Sequence, residues 1–197
     1  MAGNRKDYNR SETQRHIRNV FLDLYSAKGI DGVTVNELCR QAGIVKSTFY
    51  TYFEDKYSVL EEIERELLDG LDAQNEGLEN LEVTPVLQGN PLPQASRSVD
   101  FILDHLKEYR ALMGPKGDPS FETRWRRYIE ADFRGRFDKE KDSKKSAGLA
   151  CAIFSSTLIG IYRFFIFEDP DISKETFALI LGNTFKYALQ DFLAGAK

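Results

Sequence analysis

A run of polar, basic and aromatic side chains between residues 46 and 52 could contact nucleic acid. Its members are Lys46, Ser47, Thr48, Thr51 and Tyr52. A lysine ammonium binds phosphate oxygens, and hydroxyl groups form hydrogen bonds with both phosphates and base edges. Because most of these side chains are small, they can approach a base edge without a bulky obstacle. The run therefore predicts a surface that binds DNA.

Two short helices are predicted to position this run. Thr34 and Glu37 have the spacing of a capping box, which indicates a helix over residues 34–40. Gly43 is expected to end this helix, because glycine adopts the positive φ that a tight helix exit requires. A second helix is predicted over residues 45–52. Two short helices joined by a glycine-containing turn are typical of a helix-turn-helix.

This stretch resembles the DNA-binding domain of the TetR family of transcriptional regulators. The matching residues, spaced without gaps, are Thr34-Val35, Leu38-Cys39, Ala42-Gly43-Ile44, Ser47-Thr48-Phe49-Tyr50, Tyr52-Phe53, Asp55-Lys56 and Leu60. Cys39 is a departure, since the family more often has alanine there. The resemblance implies an all-α fold with an N-terminal three-helix domain and a C-terminal helical bundle that dimerises.

The resemblance also implies roles for individual side chains. Three positions match those that meet phosphates in this family, namely Thr34, Tyr50 and Lys56. Base-reading or base-adjacent positions are matched by Lys46, Ser47 and Thr48. Asn36 is expected to face the DNA groove, and Tyr52 completes the predicted DNA-binding set.

The charge distribution suits a regulator whose N-terminal part alone touches DNA. The net charge is −4, but residues 1–56 hold nine Lys/Arg against seven Asp/Glu. A basic head on an acidic remainder is compatible with phosphate contact by the head. No catalytic constellation, metal-ligand spacing or cofactor motif is apparent, so neither an enzyme nor a metalloprotein is predicted. Residues 1–10 lack the apolar segment of a signal peptide, and a cytoplasmic location is expected.

The predicted helices and the resemblance together imply a DNA-binding domain, 1–56, and an effector-binding and dimerisation domain, 57–197. The first helix is predicted over residues 11–28, after a loose arm. A long helix over residues 56–80 is expected to join the two domains and to act as the lever between them. Further helices are predicted at residues 96–113, 120–137, 147–167 and 173–193.

The two last helices are more apolar than one chain of this size needs. Residues 147–167 could span a membrane by length, but polar residues within them favour a buried helix. We therefore predict a homodimer whose interface includes Gly148, Ala152, Ile153, Ser156, Gly160, Phe177, Leu181 and Phe185. A stripe of small residues among them would let a partner helix approach closely.

An effector pocket is predicted where apolar walls meet a few polar groups in the C-terminal domain. Its predicted lining is Leu67, Leu103, His105, Trp125, Tyr128 and Thr157. The same residues are also explained as ordinary core and surface positions, so the sequence is compatible with both interpretations, a pocket and no pocket. The stretch from Tyr109 to Phe121 is similar to activator-like TetR regulators of the dihydroxyacetone-kinase type, some of which respond to a protein partner.

The resemblance, together with these patterns, implies a regulator, expected to be a repressor, that an effector releases from a palindromic double-stranded operator. The effector could be a small molecule or a protein. The alternatives are a TetR-like protein controlled by a partner protein and an interaction module that does not bind DNA.

Overall fold

Helices account for nearly all of the regular structure. The computed structural model describes residues 2–77, 84–85, 88, 92–137, 145–168 and 172–195, and within these ranges no strand is formed. The helices are α1 (Ala2–Gly32), α2 (Val35–Gln41), α3 (Lys46–Tyr52), α4 (Lys56–Gln74), α5 (Pro93–Asp104), α6 (Leu106–Met113), α7 (Phe121–Phe137), α8 (Lys145–Phe167) and α9 (Lys174–Gly195). The predicted all-α fold is confirmed.

The chain forms two units whose boundaries differ from the division predicted at residue 56. The head consists of Met1–Leu67 and Lys107–Pro119, and the body consists of Leu68–Leu106 and Ser120–Lys197. Residues 107–119 join the head because they are held to α1. The Nζ atom of Lys107 lies 2.9 Å from the Asp23 carboxylate. The backbone oxygen of Lys116 lies 3.2 Å from where a Cβ on Gly29 would stand.

Helix α1 supplies the apolar face on which the head is built. Ile17, Phe21 and Tyr25 are fully buried, as the predicted helical periodicity requires. The regular helix is interrupted at Gly29, whose φ of 72° is the left-handed conformation that glycine tolerates. The prediction of a loose arm over residues 1–10 is wrong, because α1 begins at Ala2 and contains no proline or glycine between Asn4 and Lys28.

The single helix predicted over residues 96–113 is also wrong, because the chain breaks at His105. The break separates α5 from α6, and the His105 backbone N–H bonds to the carbonyls of Phe101 and Ile102. The two helices bury their apolar residues in different units. Helix α5 buries Val99 and Ile102 in the body, whereas α6 belongs to the head.

Aromatic contacts between α7, α8 and α9 fill the core of the body. The rings of Trp125 and Tyr162 stack at 5.1 Å, and those of Phe165 and Phe177 stack at 4.1 Å. Helix α8 is long and apolar enough to cross a membrane over Gly148–Phe167, and it buries Tyr162 and Phe165 in the body. Its apolar composition therefore serves a core face on one side.

Candidate nucleic-acid interface

The turn between α2 and α3 has the geometry that its sequence predicts. The Oγ1 atom of Thr34 accepts a hydrogen bond from the Glu37 backbone N–H at 3.2 Å, which caps α2. Gly43 has a φ of 65°, and the Ile44 N–H donates to the Cys39 carbonyl at 3.0 Å. The Ile44 bond satisfies a carbonyl at the end of α2 and restricts the direction in which α3 begins.

Burial of Phe49 orients α3 on the head. Phe49 is 0% exposed and its ring contacts the rings of Tyr50 and Phe53 at 5.4 and 5.8 Å between centroids. Tyr50 itself is 55% exposed. Lys46 and Ser47, at the start of α3, are also exposed. One anchored ring thus presents a polar helix face to solvent.

The residues of the predicted DNA-binding set fall into two groups by exposure. Helix α2 and its cap contribute the exposed residues Thr34 and Asn36. Three members of the set are partly covered, namely Thr48, Tyr52 and Lys56. The neighbouring Thr51 hydroxyl donates to the Ser47 carbonyl at 2.9 Å, so this hydroxyl already has an internal acceptor.

Lys56 has a structural contact that its sequence position does not indicate. Its Nζ atom donates to the carbonyls of Ile30 and Val33 at 2.8 and 3.0 Å. These bonds connect the start of α4 to the last turn of α1 and to Val33, which follows it. An ammonium group has three donors, so one N–H remains for a further acceptor such as a phosphate.

Several supporting contacts in the head were not predicted from the sequence. The Glu37 carboxylate does not complete the capping box but pairs with Lys28 Nζ at 2.6 Å. Asp55 and Ser58 form a reciprocal cap at the start of α4, with bonds of 2.8 and 3.2 Å. The spacing of Asp55 and Ser58 could have identified this cap, whereas the Lys28 pairing depends on how α1 and α2 pack.

The body contains a cavity beside its aromatic core. The volume of this cavity is about 80 Å³. Its wall includes two of the six predicted pocket residues, Trp125 and Tyr128. The remaining lining is Leu71, Asn75, Leu92, Gln94, Ala95, Ser98, Ile129, Asp132, Phe133, Phe154, Leu158, Tyr162, Leu181 and Phe185.

The other four predicted pocket residues lie away from this wall. Leu67 is buried in the head, and Leu103 is 40% exposed on α5. The His105 ring packs on Phe101 at 4.4 Å. Thr157 is exposed, and its hydroxyl donates to the Ile153 carbonyl. The polar lining from α5 was missed, although Gln94 and Ser98 have the i, i+4 spacing of one helix face.

The predicted dimer-interface residues also divide into two sets. Phe177, Leu181 and Phe185 are buried in the core of their own chain. Ile153 is 58% exposed. Ser156 and Gly160 are exposed as well, and Ala152 and Gly148 are partly covered.

Comparison with known proteins identifies relatives of the head and of the whole fold. Residues 20–63 match a family model described as bacterial regulatory proteins, tetR family. Over 81 residues the chain is 32% identical to the HTH-type transcriptional regulator AcrR of Shigella flexneri. This matched segment covers 41% of this chain and 35% of that protein. The chain thus spans about a third of the length of this curated relative.

Solved structures resemble the chain over nearly its full length. A TetR transcriptional regulator from Streptococcus agalactiae 2603V superposes with a TM-score of 0.59 at 19% identity, covering 95% of this chain and 97% of that one. The dihydroxyacetone kinase operon activator DhaS superposes with a TM-score of 0.54 at 16% identity, and the match covers 94% of this chain and 98% of that one. At these identities the likeness establishes the fold.

Proposed function

We propose that this chain belongs to the tetR family of bacterial regulatory proteins, which its head resembles, and that it is a cytoplasmic transcriptional repressor. In this proposal a homodimer binds a palindromic operator, and an effector that binds in the body causes the homodimer to dissociate from the DNA. The family consists of transcriptional regulators rather than enzymes, and the DNA-binding role of its N-terminal domain is the basis of the proposal.

The observation that carries the proposal is the exposed face of α3. Phe49 is buried beneath it, while Lys46, Ser47 and Tyr50 are exposed. A helix anchored on one side and polar on the other can lie in the major groove, with its N-terminal residues nearest the base edges. Lys46 is the basic residue of this face and is suited to a phosphate or to a guanine edge.

The dimer is supported by apolar residues that the isolated chain leaves exposed. Helix α8 exposes Leu149, Ile153 and Phe164, which recur at the spacing of one helix face. Gly160 lies on the same face, and a Cβ added there would meet no atom of the described residues within 4 Å. Leu179 and Tyr187 are each 63% exposed on α9. Exposed apolar area of this kind fits a large and permanent interface.

Helix α4 is the proposed route from the effector to DNA. It begins in the head with Lys56 and ends in the body, where Leu71 lines the cavity. An effector that binds one conformation of the body better than another would shift the population of both. A coupling of about 1–3 kcal/mol per binding event would change operator affinity measurably.

The test begins with selection of an operator from random DNA by the purified protein. Tyr50→Phe and Lys46→Ala are then compared with wild type for the selected site and for unrelated DNA. Lys46→Ala is expected to weaken binding by about tenfold and to change preference at one base position, if its side chain contacts a base. Loss of a phosphate contact at Lys46 would instead reduce the salt slope by about one.

The control is Arg127→Ala, which removes one positive charge from an exposed position in the body. It should leave affinity within about twofold at moderate salt, because the charge lies outside the proposed interface. Equal affinity of wild type and both α3 variants for the selected site would contradict DNA binding through α3. Transcription from a reporter carrying the operator then determines whether the regulator represses or activates.

A further inference from the structure

The wall of the body cavity includes a buried polar atom that has no hydrogen-bond donor among the described residues. Gln94 is 9% exposed, and its Oε1 atom accepts no hydrogen bond from any residue that the structure describes. Buried polar atoms are nearly always hydrogen-bonded, because an unpaired one loses its bonds to water without replacement. Since Gln94 lines the cavity, a molecule that enters can supply the missing donor.

The walls around this acceptor favour a planar aromatic molecule. Trp125 and Tyr162 form a flat stack with an interplanar angle of 12°. Phe133, Phe154 and Phe185 lie in mutual contact, with centroid distances from 4.9 to 6.1 Å. Aromatic rings gain from stacked or edge-to-face contact with a further ring. An apolar wall with few polar groups is the usual lining of a small-molecule site.

The charge of the lining argues against an anionic ligand. The described wall contains no lysine, arginine or histidine, and its one acidic side chain, Asp132, already interacts with another group of the protein. Burial raises the pKa of the Tyr162 phenol, a shift that the hydrogen bond with the Ser98 side chain opposes, so this group is neutral near pH 7. A carboxylate or phosphate that entered would lose its hydration without gaining a cationic partner.

We infer that the cavity binds an uncharged, planar aromatic molecule whose N–H or O–H group donates to Gln94 Oε1. This inference deepens the proposed function and rests on it for the consequence of binding, which is release of DNA. The ligand class follows from the Gln94 acceptor, from the aromatic walls of the cavity and from the absence of a basic group along the described lining.

The binding test uses the fluorescence of Trp125, which is the single tryptophan of the chain and lines the cavity. Four small probes share one ring: para-cresol, para-xylene, para-toluate and para-methylbenzylammonium. Excitation at the long-wavelength edge of tryptophan absorption avoids the probes. Wild type is expected to bind para-cresol at least as tightly as para-xylene, although para-xylene is more hydrophobic, because only the phenol can donate to Gln94.

Gln94→Met removes the acceptor and keeps a side chain of similar length. The ratio of para-cresol to para-xylene affinity is expected to fall by about tenfold in this variant. Gln190→Met makes the same change at an exposed position on α9 and should leave the ratio unchanged. An equal ratio in wild type and Gln94→Met would overturn the inference. Should Gln94→Met not fold, tighter binding of para-xylene, para-toluate or the ammonium probe by wild type would overturn it.

Failure of this inference can be told apart from failure of the proposed function. Binding to the cavity is measured without DNA, and operator binding is measured without a probe. A chain that binds para-cresol through Gln94 but no operator would overturn the regulator and support the ligand assignment. A chain that binds its operator but prefers para-xylene or para-toluate would support the regulator and overturn the assignment.

Discussion

At the scale of single residues, Phe49 and Tyr50 are sequence neighbours with opposite surroundings. Phe49 is fully buried, Tyr50 is 55% exposed, and their rings meet edge to face at 80°. Burial of one ring therefore restricts the other. A preoriented side chain loses less conformational entropy on binding than a free one. For this reason Tyr50→Phe tests the hydroxyl alone, since the ring contact is retained.

Lys56 is expected to contribute to stability as well as to any phosphate contact. Lys56→Ala removes two charge-assisted hydrogen bonds, to the carbonyls of Ile30 and Val33. The variant should lose about 1.5 kcal/mol in the free energy of unfolding, measured by urea titration. Lys46→Ala is the matched control, because Lys46 is exposed, and it should remain within about 0.5 kcal/mol of wild type. Equal stability of the two variants would show that the Lys56 bonds contribute nothing measurable.

Residue types identified the side chains able to contact phosphate, but not their other partners. The acidic Glu37 had the spacing of a capping box, yet its carboxylate pairs with Lys28. Gln94 gave no signal of its own, because a glutamine on a helix is ordinarily solvated. Its role follows from the packing of helices that are far apart in the sequence, which short-range spacing does not encode.

At the scale of elements, two glycines with open space around them serve different purposes. Among the residues that the structure describes, none has an atom within 4 Å of a Cβ added at Gly43 or Gly135. Gly43 has a φ of 65° in the turn between α2 and α3, whereas Gly135 lies within helix α7. Steric crowding is thus equal at the two positions, and only the backbone conformation differs.

The same substitution should therefore have opposite effects at these positions. Gly43→Ala is expected to destabilise the chain by about 1–2 kcal/mol, because a Cβ disfavours the left-handed conformation. Gly135→Ala should stabilise it by about 0.5–1 kcal/mol, since alanine loses less backbone entropy in a helix. Thermal unfolding of both variants measures the difference. A stabilising Gly43→Ala would mean that the turn does not require its positive φ.

Helix ends were predictable where a local signal exists and not elsewhere. The starts of α2 and α9 follow caps by Thr34 and Ser173, whose side-chain oxygens accept backbone N–H bonds at 3.2 Å. The break at His105 has no such signal in the sequence. It coincides with the boundary between the units, since α5 buries Val99 and Ile102 in the body and α6 lies in the head.

At the scale of the whole molecule, the apolar composition of α8 has two causes. One face buries Phe154, Tyr162 and Phe165 in the body. The opposite face leaves Ile153 and Phe164 exposed. The sequence predicted more apolar surface than one chain requires, but it could not tell core from interface. Phe177, predicted at the interface, is buried within the chain because its ring stacks on Phe165.

Disruption of the exposed apolar face should separate the proposed dimer without unfolding the protomer. Ile153 is 58% exposed and Leu179 is 63% exposed, so an aspartate at either position can remain solvated in the isolated chain. In a dimer the same carboxylate would lose its hydration within an apolar interface, which is strongly unfavourable. Ile153→Asp and Leu179→Asp should therefore sediment as monomers at micromolar concentration, while wild type sediments as a dimer.

Leu103→Asp provides the matched control, because Leu103 is 40% exposed on α5 and lies outside the two proposed interface helices. This variant should remain dimeric. Circular dichroism should show the same helix content in all three variants and in wild type. The monomeric variants should also bind a single half-site more weakly than the dimer binds its palindrome, since two linked reading helices raise the effective concentration of the second. A monomeric wild type, or dimers of all three variants, would place the assembly interface elsewhere.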